Sequence, residues 1–250
     1  MALLWVPPAV LAGPDAVSLL ILGLLAGVLA LDDTALAQTW FGQPLPAAVL
    51  TGFLCGDPMT GLAVGFPLQL ALTGNLPVGQ TFTGDSTSAT VAAVAGALLA
   101  GHSLPPGVVT DSSGSWPLLG WVLLGAGLLS LLGHLFIQAE RRANGLWMLK
   151  GHLSLRDGSL VRIERLHLRC LAAAFMRGAV SGVLFILLML MLWLPLFDHL
   201  PLWFQRALGS LPLLLPAFGL GTMIDRYGAK ASWPWVGLGL GVTFLATRIL

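Results

Sequence analysis

The stretch Leu54–Gly79, LCGDPMTGLAVGFPLQLALTGNLPVG, decides how this chain is read. It is largely apolar, yet five glycines, three prolines, one aspartate, one glutamine and one asparagine interrupt it. Leu45–Cys55 and Leu62–Leu72 are apolar runs separated by GDPMTG (Gly56–Gly61). A membrane helix needs about 20 apolar residues, so neither run spans a bilayer alone. Proline removes a backbone donor and clashes with the preceding turn, and glycine weakens a helix by about 1 kcal/mol relative to alanine. Broken backbone at membrane depth is tolerated only where protein or a water-filled cavity satisfies its polar groups. Short Gly/Pro-interrupted segments, one in each half of the chain, point to a transporter's substrate site. The stretch is therefore expected to fold as a re-entrant hairpin shaped by Gly56, Asp57, Gly61, Gly74 and Gly79. Its freed backbone, with Gln69 and Asn75 nearby, is expected to face a polar substrate. The competing explanation is close helix packing through small residues.

Composition agrees. Of 250 residues, 56% are hydrophobic and 9% charged, with mean hydropathy +0.88. Soluble domains carry about 25% charged residues, so too little charge is present to cover a water-facing surface. The expected class is an all-α integral membrane protein, a polytopic helical bundle with broken hairpins. A net charge of +1 gives no pull toward nucleic acid. The distribution is uneven: no Lys or Arg precedes Arg141, and eight of the twelve lie between Arg141 and Arg177. Basic residues in short loops mark the cytoplasmic side. The expected organisation is one membrane domain over 1–250. It comprises an N-terminal half (17–101) with the broken hairpin, a basic cytoplasmic loop (138–177), and a C-terminal half (178–250). Within the loop, apolar and basic residues alternate at helical spacing around Leu160, Ile163, Leu166 and Leu168. That pattern suits either an amphipathic segment on the membrane surface or a helical linker.

Full-length span candidates are Leu118–Ile137, Ala179–Phe197 and Trp233–Leu250, with Val17–Leu31 shorter and ending at Asp32 and Asp33. Ser86–Gly101 is rich in small residues and fits a packed helix. Leu208–Gly228 contains Pro212, Pro216, Gly219 and Gly221 and is expected to be the second broken segment. The first span has no basic residue before it and is expected to be retained rather than cleaved. Cys55 and Cys170 form no CxxC pair, and the five histidines have no metal-ligand spacing. No metal or cofactor is expected. Neither G-x-S-x-G nor HExxH occurs, which removes Ser86 and Ser88 as protease nucleophiles.

Polar residues inside such a chain are functional candidates by default. Asp85 begins a small-residue helix in GDSTSATV and reads both as an N-cap and as a substrate contact. Gln69 lies in an apolar run where an unpaired amide is costly. Asp57 precedes Pro58 and is expected to be a turn former and cap. Asp32 closes the first span and is a candidate for substrate binding or gating.

The same residues carry a resemblance. The chain is similar to the IIC membrane subunit of the mannose/sorbose class of the sugar phosphotransferase system. In that family an acidic pair leads to RPL, then to a helix ending in GD, then to TG, an apolar run, LE, a glycine and a PD doublet. Here the counterparts are LDD (Leu31–Asp33), QPL (Gln43–Leu45), GDPMTG (Gly56–Gly61), LQLALTG (Leu68–Gly74) and GD (Gly84–Asp85). No gap is needed from Gln43 to Asp85. HLFIQAERRANG (His134–Gly145) and RCLAAAFMRG (Arg169–Gly178) extend the likeness. The family's arginine, glutamate and proline are Gln43, Gln69 and Gly84 in this sequence.

The resemblance implies a multi-pass protein of the bacterial cytoplasmic (inner) membrane. It implies a permease that binds a hexose-like sugar through Gln69, Asp85, Asn75 and Asp32, inside an oligomeric assembly with a IID-like membrane subunit. It also implies that phosphoenolpyruvate-derived phosphoryl groups arrive through separate phosphorylated IIA and IIB proteins. This chain would then be a transport subunit, not an enzyme. Losing the glutamate's charge at Gln69 would remove a charge-assisted bond of about 1.5–3 kcal/mol. That departure motivates one alternative, a non-transporting scaffold or regulator. An ion-coupled secondary transporter is the other.

Overall fold

The computed structural model describes residues 13–36, 38–72, 84–104, 115–155, 160–228, 230 and 233–239. Among them every regular element is helical. α1 (Ala16–Thr34) is a full-length apolar helix, capped by Asp15, whose carboxylate accepts from Ser18 N at 2.7 Å. α2 (Pro44–Leu54) and α3 (Pro58–Leu72) follow, then α4 (Ser86–Leu99). α5 (Ser115–Leu155) and α6 (Leu160–Leu188) are long, and α6 passes through a π-helical turn, Met189–Trp193, into α7 (Leu194–Leu196). α8 (Leu202–Leu208) and α9 (Leu211–Tyr227) follow. Among the described residues, three helices are long and apolar enough to cross a membrane, four if α8 and α9 form one span.

α2 and α3 form the expected hairpin. With 11 and 15 residues they rise about 16 and 22 Å, well short of a bilayer core of about 30 Å. Gly56 turns the chain at φ 83°, where a side chain is strained. The helices then run antiparallel in near-backbone contact, Gly61 lying against the Ala48 carbonyl and Gly65 against Ala48 and Leu45. A Cβ at Gly61 would collide with backbone, so this glycine is required by packing. Asp57 accepts from the backbone N–H of Met59 and Thr60 at 3.0 and 3.1 Å and from the Ser103 hydroxyl. Thr60 Oγ1 in turn accepts from Leu104 N at 2.7 Å. Asp57 therefore pins the hairpin tip to the segment after α4. Gly74, Asn75 and Gly79 lie outside the described residues.

α1 crosses α6 along a seam of small residues. Gly23 and Gly27 of α1 meet Val183 and Phe175, while Gly178 and Gly182 of α6 meet Ala30 and Ala26. Lipid tails are as apolar as leucine, so such helices associate by close van der Waals contact, which small residues permit. α4 is the core element: from Thr87 to Ala97 every residue is buried. Trp121 of α5 and Trp193 lie face to face, ring centroids 4.0 Å apart and planes 8° from parallel. Each indole N–H donates to the other residue's carbonyl at 2.9 Å. The π-helical turn sits directly before Pro195, which lacks an N–H, and Leu194 N–H reaches back five residues to the Met189 carbonyl.

Two expectations change. The segment 138–177 is not an open loop: α5 runs to Leu155 and α6 begins at Leu160. No proline occurs between Pro117 and Pro195 to interrupt either helix. Both readings of this segment require helix at its two ends, and both helices are observed. Leu208–Gly228 is likewise not broken at its prolines. The bend of 43° falls between Leu208 and Leu211, and α9 continues through Pro216, Gly219 and Gly221. Pro212 occupies the first turn, where its missing donor has no intrahelical partner anyway. Gly219 sits against the Leu70 carbonyl, so α9 docks on α3. Of Trp233–Leu250, the described part, 233–239, is helical.

Candidate functional site

A cavity of about 460 Å³ opens where α1, α3, α4, α5 and α9 converge. Its apolar wall comes from leucines of all but α1 and α4, including Leu68, Leu123, Leu211 and Leu215. Its polar groups are Asp33, Gln43, Ser86, Thr90, Ser130 and Arg141. The volume lies within the range of about 300–1,000 Å³ typical of small-molecule sites. Leucines with a few hydroxyl, amide and charged groups offer an apolar face and directional partners to one small polyol. The hairpin's α3 and the start of α9 both contribute, so the two Gly/Pro-rich regions do meet at one cavity.

Asp32 and Asp33 separate sharply. Asp32 Oδ1 accepts from Thr39 N (2.7 Å) and Thr39 Oγ1 (2.6 Å), and Oδ2 accepts from Gly42 N (2.9 Å). It thereby holds the loop into α2, where Gln38 and Trp40 adopt positive φ. Asp33 is on the cavity wall, and no described residue donates a hydrogen bond to its carboxylate. Sequence reasoning chose Asp32; the neighbour one residue on, a third of a turn around the helix, is the one that faces the cavity.

Asp85 lies directly behind the cavity. It is 2% exposed and does not line the void, although Gly84 and Ser86 do. Its N–H donates to the Ser130 carbonyl at 3.0 Å, and its Oδ1 caps α4 by accepting from Ser88 N at 3.0 Å. Its Oδ2 accepts from Arg177 at 2.8 Å and from Ser181 Oγ at 3.3 Å. Arg177 also donates through Nε to Glu140 at 2.5 Å. One buried guanidinium thus joins carboxylates of α4 and α5, and Asp33 lies within electrostatic reach of Asp85 and Arg177.

Gln69 also stands behind the wall. Its Oε1 accepts from Leu45 N at 3.2 Å, and its Nε2 faces Gln43 Oε1 at 3.5 Å. The two glutamines that depart from the family pattern are therefore partners. Thr87 Oγ1 donates to the Gly42 carbonyl at 2.6 Å and ties this corner to α4. Asn75 lies outside the described residues. Arg177, Glu140, Asp33 and Arg141 were not singled out from sequence. Arg177 had a signal, since it is a cation at the entrance to an apolar run. Among the described residues, no group of three or more His, Cys, Asp or Glu is arranged to hold a metal.

Comparison with known proteins places this architecture. Two solved structures are similar at 18% identity over 95% of each chain. One is described as a membrane protein (TM-score 0.69), the other as the mannose transporter ManYZ in complex with microcin E492 (TM-score 0.60). At that identity they establish a shared fold. No curated protein sequence matches significantly. The profile of the sorbose-specific IIC component of the phosphotransferase system matches residues 16–249. Nearly the whole described bundle lies within that match, and the chain belongs to this family of membrane transport subunits.

Proposed function

We propose that this chain is the sugar-binding permease subunit of a phosphoenolpyruvate-dependent phosphotransferase system, with the 460 Å³ cavity as its hexose site. The observation that carries the reading is the cavity-facing carboxylate of Asp33, set among Gln43, Ser86, Thr90, Ser130 and Arg141. A carboxylate accepts two strong hydrogen bonds from vicinal sugar hydroxyls. The guanidinium of Arg141 and the amide of Gln43 supply donors, and the leucines cover the sugar's C–H face. Asp85 and Gln69 act from the layer behind: Asp85 fixes the start of α4, and Gln69 fixes the start of α2 and the Gln43 side chain. Asp32 holds the entry loop.

Transport follows from the half-length hairpin α2–α3 and the bent α8–α9 pair, whose α3 and α9 border the cavity. Movement of the unit containing them against the α1–α6 pair would open the cavity to alternate sides. A IID-type subunit would complete the assembly in the bacterial inner membrane, and IIA and IIB proteins would phosphorylate the delivered sugar. The amide pairing of Gln43 with Gln69 favours this over the degenerate scaffold, because the corner remains braced without the charges.

The test is a hexose and amino-sugar panel read by thermal shift on the purified chain. A ligand of the folded state raises its stability by RT ln(1 + [L]/Kd). A saturable shift with one sugar supports the proposal. No shift with any sugar, alone or with a IID-type partner, sinks it.

A further inference from the structure

We propose that the cytoplasm-directed ends of α5 and α6 form a two-helix arm that binds the headgroup layer of a membrane containing acidic phospholipid. Glu140 meets Arg177 and, eleven residues further out, Gly151 abuts Leu166. The two helices thus leave the bundle as one antiparallel pair. α5 has 41 residues, a rise of about 60 Å, twice the thickness of a hydrocarbon core of about 30 Å. Its last turns lie outside that core.

The arm nevertheless exposes large apolar side chains beside arginines. Arg142, Leu146 and Leu149 stand at positions i, i+4 and i+7 on one face of α5, with Leu146 61% exposed. On α6, Leu168, 62% exposed, lies between the exposed Arg165 and Arg169. Of the acidic side chains described on the arm, Glu164 is exposed and Glu140 is committed to Arg177. Leucines held in water are unfavourable, whereas at headgroup depth they bury while the adjacent arginines meet lipid phosphate. The arm is continuous with spanning helices, so the headgroup layer is the surface already within reach. An acidic leaflet attracts each nearby arginine, and salt screens that attraction.

The test places the full chain in vesicles of phosphatidylcholine alone or of phosphatidylcholine mixed with phosphatidylglycerol. It follows hydrogen exchange at 141–149 and 163–169. Exchange is expected to be slower with phosphatidylglycerol and to return to the phosphatidylcholine rate in concentrated KCl. Each change in the series Arg142→Gln, Arg165→Gln and Arg169→Gln is expected to weaken the attachment roughly fivefold. Leu146→Gln with Leu168→Gln is expected to speed exchange in both vesicles. Equal exchange in the two compositions overturns the proposal. So does protection that arises only when a soluble partner protein is added.

Discussion

The two sides of the α4 start carry opposite kinds of polar chemistry. In front, Asp33, Gln43 and Arg141 border an open cavity, and the Asp33 carboxylate has no hydrogen-bond donor among the described residues. Behind, Arg177 and Asp85 are buried, Glu140 is partly buried, and the guanidinium bonds both carboxylates. A carboxylate open to a ligand thus stands within electrostatic reach of one committed to the scaffold. Charge inside a membrane protein therefore does two jobs here, and partner count distinguishes them better than burial.

Each contrast has a substitution that tests it. The largest effect is expected at the back. Arg177→Met leaves Asp85 and Glu140 buried without their cation, and breaking a buried pair costs about 3–5 kcal/mol. Thermal unfolding in detergent should show a large loss, and an unmoved Tm would mean that the network is not the brace described. At the front, Asp33→Asn should leave Tm unchanged while removing about 1.5–3 kcal/mol of sugar binding, roughly tenfold to a few hundredfold in Kd. If both Tm and Kd move, front and back are one structural unit and the contrast fails.

Gln69→Glu sharpens it further. Alone it sets a carboxylate against the Gln43 carbonyl oxygen and should cost about 1–2 kcal/mol. Combined with Gln43→Arg it should recover most of that loss, and a double-mutant cycle with coupling below about 0.5 kcal/mol would show that the pair is independent. The smallest effect belongs to Asp32→Asn. It weakens the bonds from Thr39 and Gly42 by about 1 kcal/mol in stability, with sugar affinity retained. Loss of affinity as large as that of Asp33→Asn would return the binding role to Asp32.

Much of the architecture was legible because membrane solvent imposes simple lengths. Pro44–Leu54 lies within one residue of the run Leu45–Cys55 at each end, and Pro58–Leu72 shares its end with Leu62–Leu72 but starts four residues earlier, at the proline after the turn. Composition distinguished α4, whose alanines, serines and threonines cannot face lipid to advantage. The prolines of α9 misled, because their cost depends on position: Pro212 falls where no donor is needed. The site was half legible. GD at Gly84–Asp85 lies beside the cavity, but the doublet does not encode the direction in which the carboxylate points. That direction is set by Arg177, 92 residues away in sequence, and no local pattern encodes such a partner. Asp32 and Asp33 differ only in their phase around α1, which a short acidic pair at a helix end leaves undefined.

The paired indoles of Trp121 and Trp193 make the protein its own optical gauge. Two chromophores stacked at 4.0 Å and held by reciprocal bonds couple their electronic transitions. The circular dichroism of the chain should therefore contain an indole couplet, strongest in the intense far-ultraviolet band, that depends steeply on the separation between α5 and the π-helical turn. If the bundle rocks at this joint during transport, the couplet changes with it. A label-free spectrum would then follow the motion in a bilayer, with Trp121→Phe as the silent control.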